Sequence, residues 1–406
     1  MKKILINGHQ NFGNRGCEAL VRSLVTLLRL KFGAVTIYVP SSNPKLDAQQ
    51  YRNYKEDGIV FVPFVYPLRL KLWIQFQRLP FTRLRSWYPR IPLPHNFESI
   101  LKNVDFAVSI GGDMYTYEGR GRLPTWILWL DSLMIERNID VYLISASLSD
   151  FSQIKGYSNY LKSHLRRFAG IAVRELISFK IATENFGLRQ TILIPDIAFL
   201  LPQKPIDVSK FWPKIIGNGL IGINLSPLVE RLSLKKGMDA PTSTIKRFIT
   251  HLINTSNYSI LLIPHVSALD GSLYNNDYKF LYKIFDQLGD FNGRLQIMDG
   301  RLNAVQTKYV ISKCRFFIGT RLHSVIAALS SKVPTISLSY SNKGPGIISQ
   351  VFENDRWSLF LANLTFDHLT VKFDALCESE DDVKTHLAEK ILSLEEILEE
   401  KVHALF

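Results

Sequence analysis

The sequence is short of the features that mark secreted scaffolds and membrane spans. Its 406 residues include only three cysteines, Cys17, Cys314 and Cys377, far apart and without a CxxC pair. That argues against a disulfide framework or a zinc site and fits a reducing cytosol. No run approaches the roughly 18 uncharged apolar residues that would span a bilayer. The opening "MKKILINGHQ" has only "ILI" before Asn-Gly, so it reads as a first β-strand rather than a leader. The glycine loop after the first strand, "NGHQNFGNRGCEAL", is not a GxGxxG, so dinucleotide binding gets little support there, and the chain shows no internal repeat and no low-complexity tract. Residues 58–97 contain no Asp or Glu, and the whole chain carries a formal net charge of +13. A balance this basic implies anionic partners: phosphorylated small molecules, a membrane surface or nucleic acid.

What is present is an ordinary globular composition, 46% hydrophobic and 21% charged, on a length that suits two domains. Short apolar runs ("KILIN", "AVTIYVP", "DFAVSIGGD", "IDVYLISAS", "GIAVRE", "TILIPDIAFL") alternate with helix-period segments such as "GCEALVRSLVTLLRLKF". After a polar, Pro-containing stretch at 201–219 a second series begins with "LIGINLS", "SILLIPHV", "RLQIMD", "CRFFIGT" and "PTISLSY". This βαβ rhythm predicts an α/β fold of two doubly wound, Rossmann-like domains facing a cleft. The expected boundaries are 1–205 and 215–375, with an amphipathic helix over 380–406. Ligands of such sheets bind beyond the carboxyl ends of strands, so the polar residues just after strands are the candidates.

After the first strand, Asn14, Arg15 and Glu18 sit in a glycine loop that runs into a helix, whose exposed amides attract anions; Glu18 equally suits a first helical turn. Gly112 and Asp113 follow the "SIGG" strand, and Asp113 either accepts a proton from a sugar hydroxyl or caps a turn. Arg174 ends a buried strand and needs an anionic partner, a ligand or a carboxylate of the protein. In the second series Asn224 and Ser226 follow one strand, and His265 follows the next with Asp270 and Asp277 nearby. "GTRLHSVIAAL" then places Arg321 and His323 at the start of an apolar helix. Arg321 offers a bidentate fork for carboxylate or phosphate; His323 is the motif's natural proton donor and acceptor near neutral pH.

Residues 58–97 interleave Arg69, Lys71, Arg78, Arg83, Arg85 and Arg90 with Phe64, Tyr66, Trp73, Phe76, Phe81, Trp87 and Tyr88. Basic plus aromatic is the profile of a segment lying on an anionic membrane. Stacking on single-stranded nucleic acid shares it, but every other motif concerns small anions, so no nucleic acid is expected.

The pieces "NFGNRGCEAL", "SIGGD", "AVRELIS", "PDIAFLL", "INLSPL", "IPHV" and above all "GTRLHSVIAAL" resemble the polysaccharide pyruvyl transferase family, in its order and over about residues 7–346. The resemblance implies a fold like the GT-B glycosyltransferases, with phosphoenolpyruvate as co-substrate, no other cofactor and no metal. It implies transfer of the enolpyruvyl unit to two hydroxyls of a sugar, giving a cyclic pyruvate ketal. Carried onto this sequence, Arg174 and Arg321 grip the donor with the backbone at Leu322, and His323, Asn224 and Ser226 complete the donor site. His323 is the candidate proton donor and Asp113 or Glu18 the acceptor-side base. Asn14, Arg15, Gly112, Asp113 and His265 line the acceptor side. Cys17 and Asp113 depart from the family pattern, which often has an acidic residue and a third glycine there. The expected setting is the cytoplasmic face of the cell membrane, with a lipid-linked precursor of a surface polysaccharide such as a capsule as acceptor. Two alternatives stay open: a GT-B-type glycosyltransferase using a nucleotide sugar, and a non-catalytic saccharide-binding protein.

Overall fold

The structure is a computed structural model that describes residues 1–406 except 78, 80, 82–88, 118–122, 155 and 269–273. It resolves into two compact α/β units. The first holds a seven-stranded parallel sheet in the order β3-β2-β1-β4-β5-β6-β7. Its strands are β1 (Lys2–Asn7), β2 (Val35–Ser41), β3 (Ile59–Pro63), β4 (Phe106–Tyr115), β5 (Asp140–Leu148), β6 (Gly170–Val173) and β7 (Thr191–Leu193). The second holds a six-stranded parallel sheet in the order β10-β9-β8-β11-β12-β13. These are β8 (Gly219–Asn224), β9 (Tyr258–Leu262), β10 (Leu295–Ile297), β11 (Phe316–Gly319), β12 (Thr335–Ser339) and β13 (Ser358–Phe360).

The central strands read as continuous apolar runs because helices cover both faces of a parallel sheet. Ile4, Leu5 and Ile6 of β1 and Phe316, Phe317 and Ile318 of β11 are completely buried. Strand order reverses between β1 and β4 in one sheet and between β8 and β11 in the other. The loops after these strands diverge at the reversal and leave room for a ligand. "NGHQNFGN", "NLSPL" and "GTRLHS" occupy such positions, whereas "GGDMY" does not follow the strand as the sequence predicts but lies within β4, which runs on to Tyr115 through a register shift after Gly112.

The units do not divide the chain in one cut between 205 and 215. The first comprises Met1–Asn11, Leu24–Ile197 and Ile397–Phe406; the second, Phe12–Ser23 and Ala198–Glu396. The last helix, Glu380–Leu405, ends among first-unit residues because its terminal side chains find apolar partners there. The Phe406 ring packs on Phe106 and Tyr142, with centroids 5.3 and 5.0 Å away, and the Lys401 ammonium donates to the Leu193 carbonyl at 3.0 Å. The segment read as one strand over 191–200 is instead β7 followed by a 3₁₀ turn, Ile197–Leu200. Pro195 lacks the N–H that a longer ladder would need.

Candidate functional site

In the second unit, the sequence around "GTRLHS" builds a dense polar cluster. The helix Leu322–Leu329 begins directly after β11, with Arg321 at its N-cap in extended conformation and no side-chain cap. Its first amides therefore emerge without the usual Ser or Asp partner. The turn is fixed from β8: Asn224 Oδ1 accepts from the Arg321 amide at 3.0 Å, while its Nδ2 donates to the Ile263 carbonyl at 2.9 Å. Ser226 is buried and caps the helix Pro227–Lys235, accepting from the Leu228 amide at 3.1 Å. These two residues position the site's backbone.

The Arg321 guanidinium is held in a fork by Asp277, Nη2 to Oδ1 at 2.7 Å and Nε to Oδ2 at 3.2 Å, and Nη2 also donates to Asn275 Oδ1 at 2.7 Å. Asp277 is fully buried and collects the amides of His265 and Val266 as well, at 3.2 and 2.9 Å. In the sequence Asp277 stands out only as a carboxylate near His265, with no role attached. The available signal was physical: a semi-buried fork needs a carboxylate when no ligand is bound.

The glycine loop after β1 belongs to this same unit. Asn14 bridges to Val266, the Arg15 amide donates to the His265 carbonyl at 3.1 Å, and the Ser267 amide donates to the Gly13 carbonyl at 2.9 Å. Gly16 lies so close to the His323 ring that a Cβ would overlap its Nδ1. Arg15 is buried, donating to the carbonyls of Phe12 and Gly300, and burial lowers its pKa from the usual value. Glu18 is also buried. Its Oε1 accepts from Arg22 Nε at 2.8 Å and its Oε2 from the Ala304 amide at 2.9 Å, the first residue of the helix Ala304–Ile311. Both oxygens are thus committed to structure, which is poor placement for an acceptor-side base. His265 is buried next to this cluster. Burial pushes its pKa well down, and His323, Arg321 and Arg15 push it further, so it is neutral at neutral pH. The structure therefore groups Asn14, Arg15, Glu18 and His265 with Arg321 and His323, residues that the family resemblance divides between acceptor and donor sides.

Arg174 lies in the first unit and has a different environment. It is fully buried just beyond β6, and its donors reach Asp196 (2.7 Å), Asp113 (2.7 Å) and the Ser147 hydroxyl (2.9 Å), with Glu175 at 3.4 Å. Burial opposes its charge, but the three carboxylates outweigh it and raise its pKa. Three carboxylates around one guanidinium make a locally negative site, hostile to phosphate. Arg174 is correctly read as needing an anionic partner; the partners it finds are the protein's own carboxylates. Gly112 takes φ +43°, a conformation that disfavours side chains, and thereby aims Asp113 at Arg174. Half of the Asp113 side chain is exposed.

The Polysaccharide pyruvyl transferase profile matches residues 14–342, from the glycine loop to the loop after β12. The chain belongs to the polysaccharide pyruvyl transferase family. The chain is also similar to the amylovoran biosynthesis protein AmsJ of Erwinia amylovora, 21% identical with 99% of this chain and 98% of that protein covered. Among solved structures it is similar to a UDP-GlcNAc 2-epimerase from Methanocaldococcus jannaschii, with TM-score 0.56, 12% identity, and 92% of each chain covered. It is also similar to a glycosyltransferase from Rickettsia africae, with TM-score 0.57, 11% identity, and 100% of this chain and 97% of that one covered. At such identities the two structures establish the fold, a pair of Rossmann-like units of the GT-B kind.

This pyruvyl transferase family member has further features near its strand ends. In the second unit a cavity of about 660 Å³ is lined by Pro227, Asn276, Tyr278, Tyr282 and two lysines, Lys279 and Lys283. It borders the Asn275–Asp277 segment that holds Arg321. Asp270 lies outside the described residues. Among the described residues no three His, Cys, Asp or Glu side chains gather as metal ligands would, and no helix is long and apolar enough to cross a membrane. Of the basic aromatic segment, Arg78, Arg83, Arg85, Trp87 and Tyr88 fall outside the described residues. In the remainder, Phe64 and Trp73 are buried in the first unit's core, so they are packing residues and not interfacial ones.

Proposed function

We propose that this protein transfers the enolpyruvyl group of phosphoenolpyruvate onto two hydroxyls of a saccharide, forming a cyclic pyruvate ketal and releasing phosphate. The family assignment supports pyruvyl transfer. The observation that carries the donor assignment is the convergence of Arg321, His323 and an uncapped helix start in one unit, with neutral His265 beside them. Among the described residues, three guanidiniums (Arg15, Arg22, Arg321) stand in this unit's cluster against two carboxylates (Glu18, Asp277), a surplus of one positive charge. Phosphoenolpyruvate suits such a place. Its carboxylate or phosphate takes the Arg321 fork in exchange for part of the Asp277 pairing, and the amides of Leu322 and His323 receive the other oxygens.

The chemistry requires C3 of the enol to gain a proton while a sugar hydroxyl attacks C2. The C2–O bond to phosphate then breaks, and the second hydroxyl closes the ring on C2. We assign the C3 proton to His323, which Gly16 holds against the loop. His265, kept neutral, adds no competing cationic donor. Asp113 is the more accessible of the two acceptor-side carboxylates, since Glu18 is fully engaged. Arg174 serves as counter-ion to its three carboxylates.

The acceptor we propose is a lipid-linked precursor of a surface polysaccharide, processed at the inner face of the membrane. The similarity to an amylovoran biosynthesis protein supports a polysaccharide pathway, and the acid-free stretch 58–97 supports an anionic surface. The test is direct. Phosphoenolpyruvate, and not a nucleotide sugar, should raise the melting temperature. Incubation with phosphoenolpyruvate and lipid-linked saccharide should then yield a product heavier by pyruvate less water, together with free phosphate. Stabilisation by nucleotide sugars alone would favour the glycosyltransferase reading.

A further inference from the structure

The first unit carries a cavity that the donor chemistry does not use. It has about 220 Å³ of open space and is lined by His9, Ser41, Ser42, Tyr66 and Lys71, with Val65 at its mouth. These residues come from the chain just beyond the carboxyl ends of β1, β2 and β3, three neighbours in one parallel sheet. That is the edge at which such sheets bind ligands.

The cavity is built rigidly. Asp47, fully buried, accepts from Ser41 Oγ at 2.6 Å and from His9 Nε2 at 2.7 Å on the same oxygen, Oδ2. This ties the ends of β1 and β2 to the helix Pro44–Gln50. On the other side Tyr66 is clamped edge-on by Phe64 and Trp126, with centroids 5.1 and 5.4 Å away. The volume is below the roughly 300–1,000 Å³ of a drug-sized cleft. An aromatic wall together with the Ser41 and Ser42 hydroxyls and the Gln10 amide, in a space this small, suits a single sugar ring. Among the described residues that line it, Lys71 is the one lysine or arginine, and it suits an attached phosphate.

The helix Leu68–Phe76 that supplies Lys71 buries Leu70 and Trp73 but exposes Leu68, Leu72 and Phe76. Those three recur every fourth residue and form one stripe. Exposed Val65, at the cavity mouth, and exposed Phe81 flank the helix in sequence. The charges around the stripe in sequence are basic only, because residues 58–97 have no carboxylate side chain. An apolar stripe with exclusively basic flanks is complementary to an anionic lipid surface.

We propose that this cavity binds the acceptor: one sugar residue joined through phosphate to a lipid. The sugar sits between Tyr66 and the Ser41–Ser42 edge, Lys71 meets the phosphate, and the Leu68–Leu72–Phe76 stripe rests on the lipid. The proposal deepens the reading of the chain as a saccharide-modifying transferase and is tested separately from it.

The probe is a set of phosphatidylcholine vesicles doped with polyprenyl diphosphate carrying one hexose or N-acetylhexosamine. Controls are undoped vesicles, vesicles matched in charge with phosphatidylglycerol, and the same sugars as soluble nucleoside diphosphates added as competitors. Full-length protein should float with the sugar-lipid vesicles about tenfold more than with charge-matched ones, the increment of one charge-assisted contact. Val65→Trp, which caps the mouth, and Lys71→Glu should each remove that preference, and Leu72→Ser with Phe76→Ser should lower flotation on all vesicles. Equal flotation on phosphatidylglycerol, or variants that float like the parent, would overturn the acceptor site. Complete displacement by soluble nucleoside diphosphate sugars at concentrations matching the sugar-lipid would overturn the lipid contact, because the shared sugar phosphate alone would then account for binding. The melting-temperature rise with phosphoenolpyruvate should persist in both cavity variants. Sugar-lipid binding without that rise would sink pyruvyl transfer and leave the cavity assignment standing.

Discussion

A buried acid and a buried base in the first unit should hide one another's effect on stability, and replacing the acid should expose the base. Asp131 is fully buried on the helix Thr125–Ile135 and accepts from Asn7 Nδ2 at 2.7 Å, Ser109 Oγ at 3.4 Å and the Tyr115 hydroxyl. Burial pushes its carboxyl up to about 7, against the help of those donors. His164 is equally buried, its Nε2 4.0 Å from Asp131 Oδ2, and burial followed by Arg167 pushes it down to about 3. The folded Asp131 therefore holds an extra proton from about pH 4 to pH 7, and its contribution to stability declines as pH rises through that window. For His164 the unfolded chain holds the extra proton, from about pH 3 to pH 6.5, and stability declines as pH falls. Each shift spans about three pK units, or about 4 kcal/mol at roughly 1.4 kcal/mol per unit. Between pH 4 and 6.5 the slopes oppose and largely cancel. Asp131→Asn removes only the first. The stability difference, parent minus variant, should decrease by about 4 kcal/mol from pH 4 to pH 7. The variant alone should become markedly acid-sensitive below pH 6.5. Urea unfolding followed by tryptophan fluorescence at half-unit pH steps measures this, and other titrating groups cancel in the difference. A difference that stays flat across pH 4–7 would mean that Asp131 does not hold its proton, and the reasoning would fail.

Four substitutions address the site itself. Arg321→Ala should remove the phosphoenolpyruvate-induced rise in melting temperature, because a charge-assisted bond is worth about 1.5–3 kcal/mol. His323→Gln should keep that rise and cut turnover by about 10²–10⁴, the range for a positioned proton donor; near-normal turnover would remove His323 from the chemistry. Gly16→Ala should displace the His323 ring, lowering turnover by up to about a hundredfold, as a misplacement of 1 Å does. Its melting temperature should hold, since alanine favours the helix start by about 1 kcal/mol. Arg174→Met should destabilise by about 3–5 kcal/mol in urea unfolding, because it strands buried Asp196 without a cation; a stable variant that has lost only phosphoenolpyruvate binding would restore Arg174 to the donor grip.

Much of the fold was legible because a parallel sheet with both faces covered writes its strands as unbroken apolar runs, and most of the strands lie at or near the runs that announce them. β3 and β13 were not legible. Ile59–Pro63 is embedded in a basic aromatic stretch that reads as a surface segment, and Ser358–Phe360 is too short for any period to show. The site was legible one residue at a time and not as a set. "GTRLHS" announces a fork and a proton donor, but nothing in the one-dimensional spacing says that Asp277 closes the fork or that Gly16 touches His323. Such pairings depend on which loops share a sheet edge. Sequence position also misled where chain order and packing part company: Phe12–Ser23 is N-terminal by number and belongs with the second unit by contact.

Arg174 and Arg321 show why motif and environment must be read together. Both are arginines just after a buried strand, and both met an anionic partner as the physics demanded. Arg174 is fully buried and outnumbered three to one by carboxylates, so an arriving phosphate would meet a net negative site and would have to dismantle a buried network, at a cost of several kcal/mol. Arg321 keeps 14% of its side chain exposed, faces one carboxylate among the described residues, and stands where a helix presents its first amides. Exchange of part of the Asp277 pairing for an incoming anion keeps the guanidinium paired and hydrogen-bonded throughout. The same residue type, at the same topological position, is therefore a fixed counter-ion in one unit and an exchangeable grip in the other, and the count of neighbouring carboxylates decides which.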